Sequence, residues 1–261
     1  MKPSYIHTNF FNYFLKKRSA DPKNINKKNV FDFMLNDLEQ ISQRKIIIPT
    51  FNYDFGKNKI YNVQKDKSQV GSFSEFFRKK FILNRSSIPV FSSCSNYKVY
   101  PKKKVAEDID VFGPESDFAY LTKHNGNIIN FEVEFAPTFI IYIERFVSKK
   151  IIYRYFKKIN GKIIDGKIKK NISAHLFVRP RKININYDLL KIKKDLKKSG
   201  ILKLKRFKLF NYEVYNSNDL FDFCISKINK DYLYFLDKDS KLNLHNKRIS
   251  LKNKKNIELF D

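Results

Sequence analysis

Apolar positions along the first half of the chain alternate between two periods. Val30, Phe33, Met34, Leu38 and Ile41 recur at i, i+3, i+4, i+8 and i+11, which predicts an amphipathic helix. Lys45-Ile46-Ile47-Ile48 follows at once, a β-branched run suited to a strand buried on both faces and closed by Pro49. Residues 4 to 15 predict a first strand running into an apolar loop or short helix, and 51 to 70 a long polar loop. Ser72-Phe73-Ser74-Glu75 after Gly71 fits a capping box opening a helix that turns Phe73, Phe76 and Phe77 inward. Ser116 to His124 predicts a short helix, Asn125-Gly126 a turn and Asn127 to Val133 a strand. Strand, helix, strand is a βαβ pattern, hence an α/β fold with a mixed central sheet flanked by helices.

The second half reads differently. Thr138 to Val147 suits a helix and Ile151 to Lys157 a strand, with hairpin turns at Asn160-Gly161 and Asp165-Gly166. Leu189, Leu190, Ile192 and Leu196 predict a helix stopped by Gly200. Ile201 to Leu209 alternates as a strand, Leu220 to Ile228 is helical with Asn218 or Asp219 as cap, and Tyr232 to Leu236 reads as a late strand. The expected organisation is a single α/β domain over 1–236 with an antiparallel C-terminal part, then a loosely held basic tail over 237–261.

Composition narrows the class. The 261 residues carry a net charge of +27, which favours anionic partners such as phosphorylated ligands, nucleic acid or anionic membrane. The charge is uneven: residues 1–140 hold 22 basic and 14 acidic side chains, residues 141–261 hold 31 and 12. Lys far outnumbers Arg and no nucleic-acid motif occurs, so no specific nucleic acid is expected. Cys94 and Cys224 are 130 residues apart with no Cys/His cluster, which predicts free thiols, a reducing compartment and no metal. The N-terminal residues lack the apolar core of a signal peptide and no run of 18 apolar residues occurs, so the expectation is a cytoplasmic chain with no membrane span.

Candidate chemistry concentrates between Pro49 and Ser95. Arg85, Ser86 and Ser92 in a loop, beside backbone amides at the helix start near Gly71, suit an anion or polar-ligand site, or an ordinary strand-loop-helix with a capping box.

These segments resemble the aminoglycoside 3-N-acetyltransferase family. Pro49-Thr50-Phe51, then Gly71 with Glu75, Phe77 and Arg78, then Arg85-Ser86 with Pro89 and Ser92 match its Pro-Thr-Phe, Gly-x-x-x-Glu-x-Phe-Arg and Arg-Ser-x-x-Pro-x-x-Ser. Ile6-His7-Thr8-Asn9 is similar to its first-strand His-Ser-Ser, and Val111 to Phe118 to its Phe-Gly-x-x-Ser segment. Thr138 and Glu144 match the ends of its Thr-x-x-His-x-x-Glu, but Ile141 stands where the family has its catalytic His, and Ile88 where a second His is common. The resemblance covers roughly residues 5 to 180.

The resemblance implies acetyl-coenzyme A as co-substrate and an amino group of an aminoglycoside or other amino sugar as acceptor. It puts Thr8, Asn9, Arg78, Arg85 and Ser86 at the cofactor, and Glu75 and Asp117 at the substrate. With Ile141 unable to carry a proton, the base falls to Glu144 or His7, and Glu144 also reads as an ion-pair partner of Arg145 or Arg154. Two other readings stay open: a catalytically impaired relative that binds a cofactor or partner, and a basic nucleic-acid or membrane-surface module.

Overall fold

The computed structural model describes residues 2–26, 29–99 and 106–247. Its centre is a six-stranded mixed sheet of order β4-β2-β1-β6-β10-β9, from β1 (Ser4–Thr8), β2 (Ile46–Pro49), β4 (Ser93–Ser95), β6 (Asn127–Phe131), β9 (Lys203–Phe207) and β10 (Phe210–Asn216). β1 pairs in parallel with both β2 and β6; β4 at one edge, and β10 with β9 at the other, run antiparallel. A second sheet, β3-β7-β8-β5, is built on the long antiparallel hairpin of β7 (Tyr155–Asp165) and β8 (Ile168–Val178), flanked in parallel by β3 (Ile60–Asn62) and β5 (Asp108–Asp110).

The β-branched strands are apolar on both faces because both faces are covered. On one face Ile6, Ile46, Ile48 and Ile129 pack against α1 (Phe10–Ala20), α2 (Val30–Ile41) and α4 (Ser72–Lys80), through Tyr13, Met34, Leu38, Phe73 and Phe77. On the other, Tyr5, Ile47, Ile128 and Tyr215 join α5 (Asp117–Lys123), α6 (Thr138–Phe146), α7 (Leu189–Lys198), α8 (Ser217–Lys230) and the second sheet. The mixed α/β architecture expected from periodicity is the one observed.

Several local expectations are corrected. The capping box does not form: Gly71 (φ 115°) caps α4 without a side-chain bond, and Glu75 accepts from the Ser68 amide and Arg78 instead of reaching back. The 51–70 loop contains the short helix α3 (Phe55–Asn58) and β3. Residues 151–154 precede β7 rather than belonging to it. Residues 232–236 make turns and one isolated bridge, Tyr187 to Leu236, not a strand. The expected tail begins with an ordered helix, α9 (Lys238–Asn246), capped by Asp237 and anchored by buried Leu244; residues 248–261, and the lysine run 102–104, lie outside the described residues.

Asn160-Gly161 is not a turn. β7 runs straight through it, and the reversal falls at the other site, where Gly166 takes φ 59°. Gly161 is needed for close approach: a Cβ there would sit 2.3 Å from the Lys59 carbonyl oxygen and 2.8 Å from the Phe55 ring. Gly161→Ala should therefore cost about 1–3 kcal/mol through overpacking against α3 and the Lys59 carbonyl that follows it, seen as a lower denaturant midpoint with unchanged slope. An unchanged midpoint would mean that this approach is not close.

Candidate active site

The motif residues between Pro49 and Ser95 fold onto one another rather than onto a cleft. Arg85 is 5% exposed. Its guanidinium donates to the Thr50 carbonyl (2.7 Å), to the Val63 (3.0 Å) and Asp66 (2.5 Å) carbonyls, and to the Ser92 hydroxyl (3.2 Å). Arg78 forks onto Glu75 at 2.7 and 2.8 Å and donates to the Gln64 carbonyl at 2.6 Å. The two arginines thus clamp residues 63–68 of the long loop to the end of β2 and to α4, satisfying backbone carbonyls that sheet and helix leave free. Ser86 donates to Asp117 at 2.9 Å and accepts from the Ser93 amide at 3.0 Å. Arg78, Arg85, Ser86, Glu75 and Asp117 are accordingly bonded inside the protein, where cofactor or substrate contacts were expected.

Glu144, the other candidate base, is bonded inside the protein as well. Its carboxylate is fully buried and accepts 2.5 Å bonds from the Tyr153 hydroxyl, Arg154 Nε and the Tyr187 hydroxyl. Arg154 donates further to the Phe177 carbonyl (3.0 Å) and Tyr187 (2.8 Å). Burial opposes the Arg154 charge, but Tyr187 and Glu144 carry its pKa above the usual arginine value. Three donors and full burial leave this carboxylate committed within the protein. Of the two ion-pair partners expected for it, Arg154 is the one observed; Arg145 pairs with Asp110 at 2.5 Å.

Two regions on the α6 side of the sheet are open to chemistry. The first is a cleft of about 630 Å³. Ile141, Phe91 and Phe177 form part of its apolar lining, and Arg179, Arg181 and Lys182 its basic part; no carboxylate is among the described lining residues. Ile141, singled out in the sequence, faces this cleft, and so does Arg154. Arg179 lies over the Tyr187 ring at 5.2 Å and donates to the Ile185 carbonyl.

The second lies at the carboxyl ends of β1 and β6. The chain leaves β1 to one side through β2 and returns on the other as β6, so the strand order reverses there, the place where open α/β sheets hold ligands. His7 is half-buried beside the Tyr5 ring (5.3 Å) and Thr8 ends the strand. Asn9 caps α1 through its side-chain oxygen (3.1 Å). Burial lowers the His7 pKa to about 4, so its imidazole is neutral at pH 7. In register with it stands Asn130, and beside Asn130 on β10 stands Glu213. Sequence reading missed both. The available signal was a lone Asn within Ile128-Ile129-Asn130-Phe131 and a lone Glu alternating with aromatics in Tyr212-Glu213-Val214-Tyr215.

The depressed His7 pKa sets a pH window. The unfolded imidazole takes its proton near pH 6.5, the folded one only near 4, so the unfolded state binds more protons between those values. The His7 contribution to stability is intact above pH 6.5 and lost as pH falls toward 4. Unfolding curves of His7→Gln should fall less steeply than wild type across that window; parallel curves would contradict the burial.

No family model matches the sequence, and no curated protein matches it. Solved structures do. The chain is similar to aminoglycoside acetyltransferase AAC(3)-IVa in a complex with gentamicin, at 11% identity over 100% of this chain and 91% of that one, with a TM-score of 0.63. It is similar to AAC-IIIb in a binary complex with CoASH, at 11% identity over 88% and 90%, with a TM-score of 0.64. It is similar to the YokD protein from Bacillus subtilis, at 12% identity over 86% and 91%, with a TM-score of 0.61. Among the described residues no helix is long and apolar enough to cross a membrane, and no group of three His, Cys, Asp or Glu side chains gathers to hold a metal. The chain has the fold of the aminoglycoside acetyltransferases.

Proposed function

We propose that the chain binds an acyl-coenzyme A thioester, acetyl-coenzyme A first, and transfers the acyl group to an amino group of an aminoglycoside or other amino sugar. The observation that carries this reading is the whole-chain match to acetyltransferases, one of which is a complex with CoASH and another with gentamicin. The cleft beside Ile141 suits such a donor: apolar walls for an acyl-pantetheine arm, and Arg179, Arg181 and Lys182 for phosphates.

An acceptor amine reaches the site largely as an ammonium, and a base must free its lone pair. With Ile141 at the family's histidine position and Glu144 sealed, His7 is the base that fits. The other described histidines are engaged: His124 with the Tyr120 carbonyl, His175 with Asp108, while His245 lies in α9, far along the chain. The test is release of free thiol from acetyl-coenzyme A in the presence of an amino-sugar panel. The reading predicts acceptor-dependent release; none with any amine would reject turnover.

A second reading, binding without turnover, is favoured by that same Ile141, which removes the family's base from the cleft. It predicts saturable acetyl-coenzyme A binding with no acceptor-dependent thiol.

A further inference from the structure

Three polar side chains fall in one register across three neighbouring strands: His7 on β1, Asn130 on β6 and Glu213 on β10. The row lies on the sheet face that also carries Tyr5 and Tyr215, under an otherwise apolar core. Asn130 is 1% exposed. Its Nδ2 donates to Glu213 Oε2 and to the Tyr215 hydroxyl oxygen, both at 3.3 Å, while its Oδ1 has no hydrogen-bond partner. A buried acceptor left unmatched is unfavourable, so this oxygen is positioned for a donor that arrives with a ligand. Glu213 is buried as well, and its other oxygen bonds the Lys193 ammonium. Next in the row the His7 ring is half-buried and has no hydrogen bond to any described residue.

An amide oxygen, a carboxylate and an imidazole in line form a receptor for a primary ammonium. Lys193 already shows that Glu213 takes one. We propose that the His7–Asn130–Glu213 row is the acceptor-amine pocket, Asn130 Oδ1 and Glu213 holding the ammonium and His7 accepting its proton. This rests on the acyltransferase reading above. The step balances. The ammonium gives one proton to His7, and the freed nitrogen attacks the thioester carbonyl carbon. The C–N bond forms, the C–S bond breaks, the leaving thiolate takes a proton from the His7 imidazolium, and the amide carries one proton fewer, released to solvent. In this scheme His7 is a catalytic residue, and Asn130 and Glu213 bind the substrate.

The test uses full-length protein and glucosamine as the probe amine, with two readouts. In NMR spectra at fixed pH the His7 ring resonances shift saturably on adding glucosamine. Glu213→Gln, which keeps the side-chain shape, abolishes that shift while thermal melting shows the protein folded. In the thiol-release assay Glu213→Gln raises KM for the amine about tenfold or more with KM for acetyl-coenzyme A unchanged. Asn130→Ser, a smaller change at the buried position, weakens the amine in the same way. A His7 resonance indifferent to glucosamine, or an amine KM unmoved by Glu213→Gln, would overturn the pocket. If acetyl-coenzyme A binds while His7 stays silent, the pocket fails and the acyltransferase reading stands; if acetyl-coenzyme A does not bind, that reading fails, and the NMR titration still decides whether the row takes an amine.

Discussion

Replacing Glu144 by alanine should lower stability by about 3–5 kcal/mol, the cost of leaving a buried guanidinium without its counter-ion. Arg154 is 4% exposed at its side chain and faces no second carboxylate among its hydrogen-bond partners. The Tyr153 and Tyr187 hydroxyls would lose their acceptor at the same time, leaving a buried donor at Tyr153 and a half-buried one at Tyr187 unmatched. The network joins α6 to the segment before β7, to the end of β8 and to the approach to α7, so its loss loosens the frame around the Ile141 cleft. Glu144→Gln should cost less, because an amide oxygen still accepts from Arg154. The double variant Glu144→Leu with Arg154→Met should recover much of the loss, since replacing both charges removes the unpaired ion. Chemical unfolding of the three variants checks this. A loss below 1 kcal/mol for Glu144→Ala would show that the pair is not buried as described.

His7→Gln should lower acceptor-dependent thiol release, by less than the roughly 10²–10⁴-fold usual for a base whose pKa lies near the working pH, because burial holds the His7 imidazole near 4 and makes it a weaker base. The neutral imidazole at pH 7 has its lone pair ready, and no described residue competes for it. KM for acetyl-coenzyme A should not change, because the basic residues proposed to hold the phosphates line a different region. Full activity in His7→Gln would remove His7 from the mechanism. Should wild type show no release while Ile141→His creates it, the protein binds without turnover, and one side chain in the cleft accounts for the difference.

Much of the architecture was legible because it rests on periodicity. The Val30–Ile41 helix and the Ile46–Ile48 strand announce themselves through apolar spacing, and Asn125-Gly126 marks its turn by composition. Elements decided by tertiary contact were not legible. Gly161 has the sequence of a hairpin turn, yet the Lys59 carbonyl and the Phe55 ring fix it in mid-strand. α9 is poor in apolar residues, and Leu244 with the Asp237 cap decides it.

The site followed the same division. The arginines and serines of the Pro49–Ser95 stretch were visible as a pattern, but a pattern cannot say whether a guanidinium faces a ligand or a backbone carbonyl. Arg85 and Arg78 face carbonyls. The alternative noted for Glu144, an ion pair with Arg154, is what burial enforces. Asn130 and Glu213 lie 83 residues apart and meet only because β6 and β10 pair, which local spacing does not encode.

Titrating acetyl-coenzyme A into the protein by calorimetry tests the central claim most directly, with Lys182→Glu as its comparison. The account predicts saturable one-to-one binding that weakens as salt rises and weakens further in Lys182→Glu, because the cleft's cations attract the cofactor phosphates. No heat of binding at millimolar ligand and low salt would contradict it.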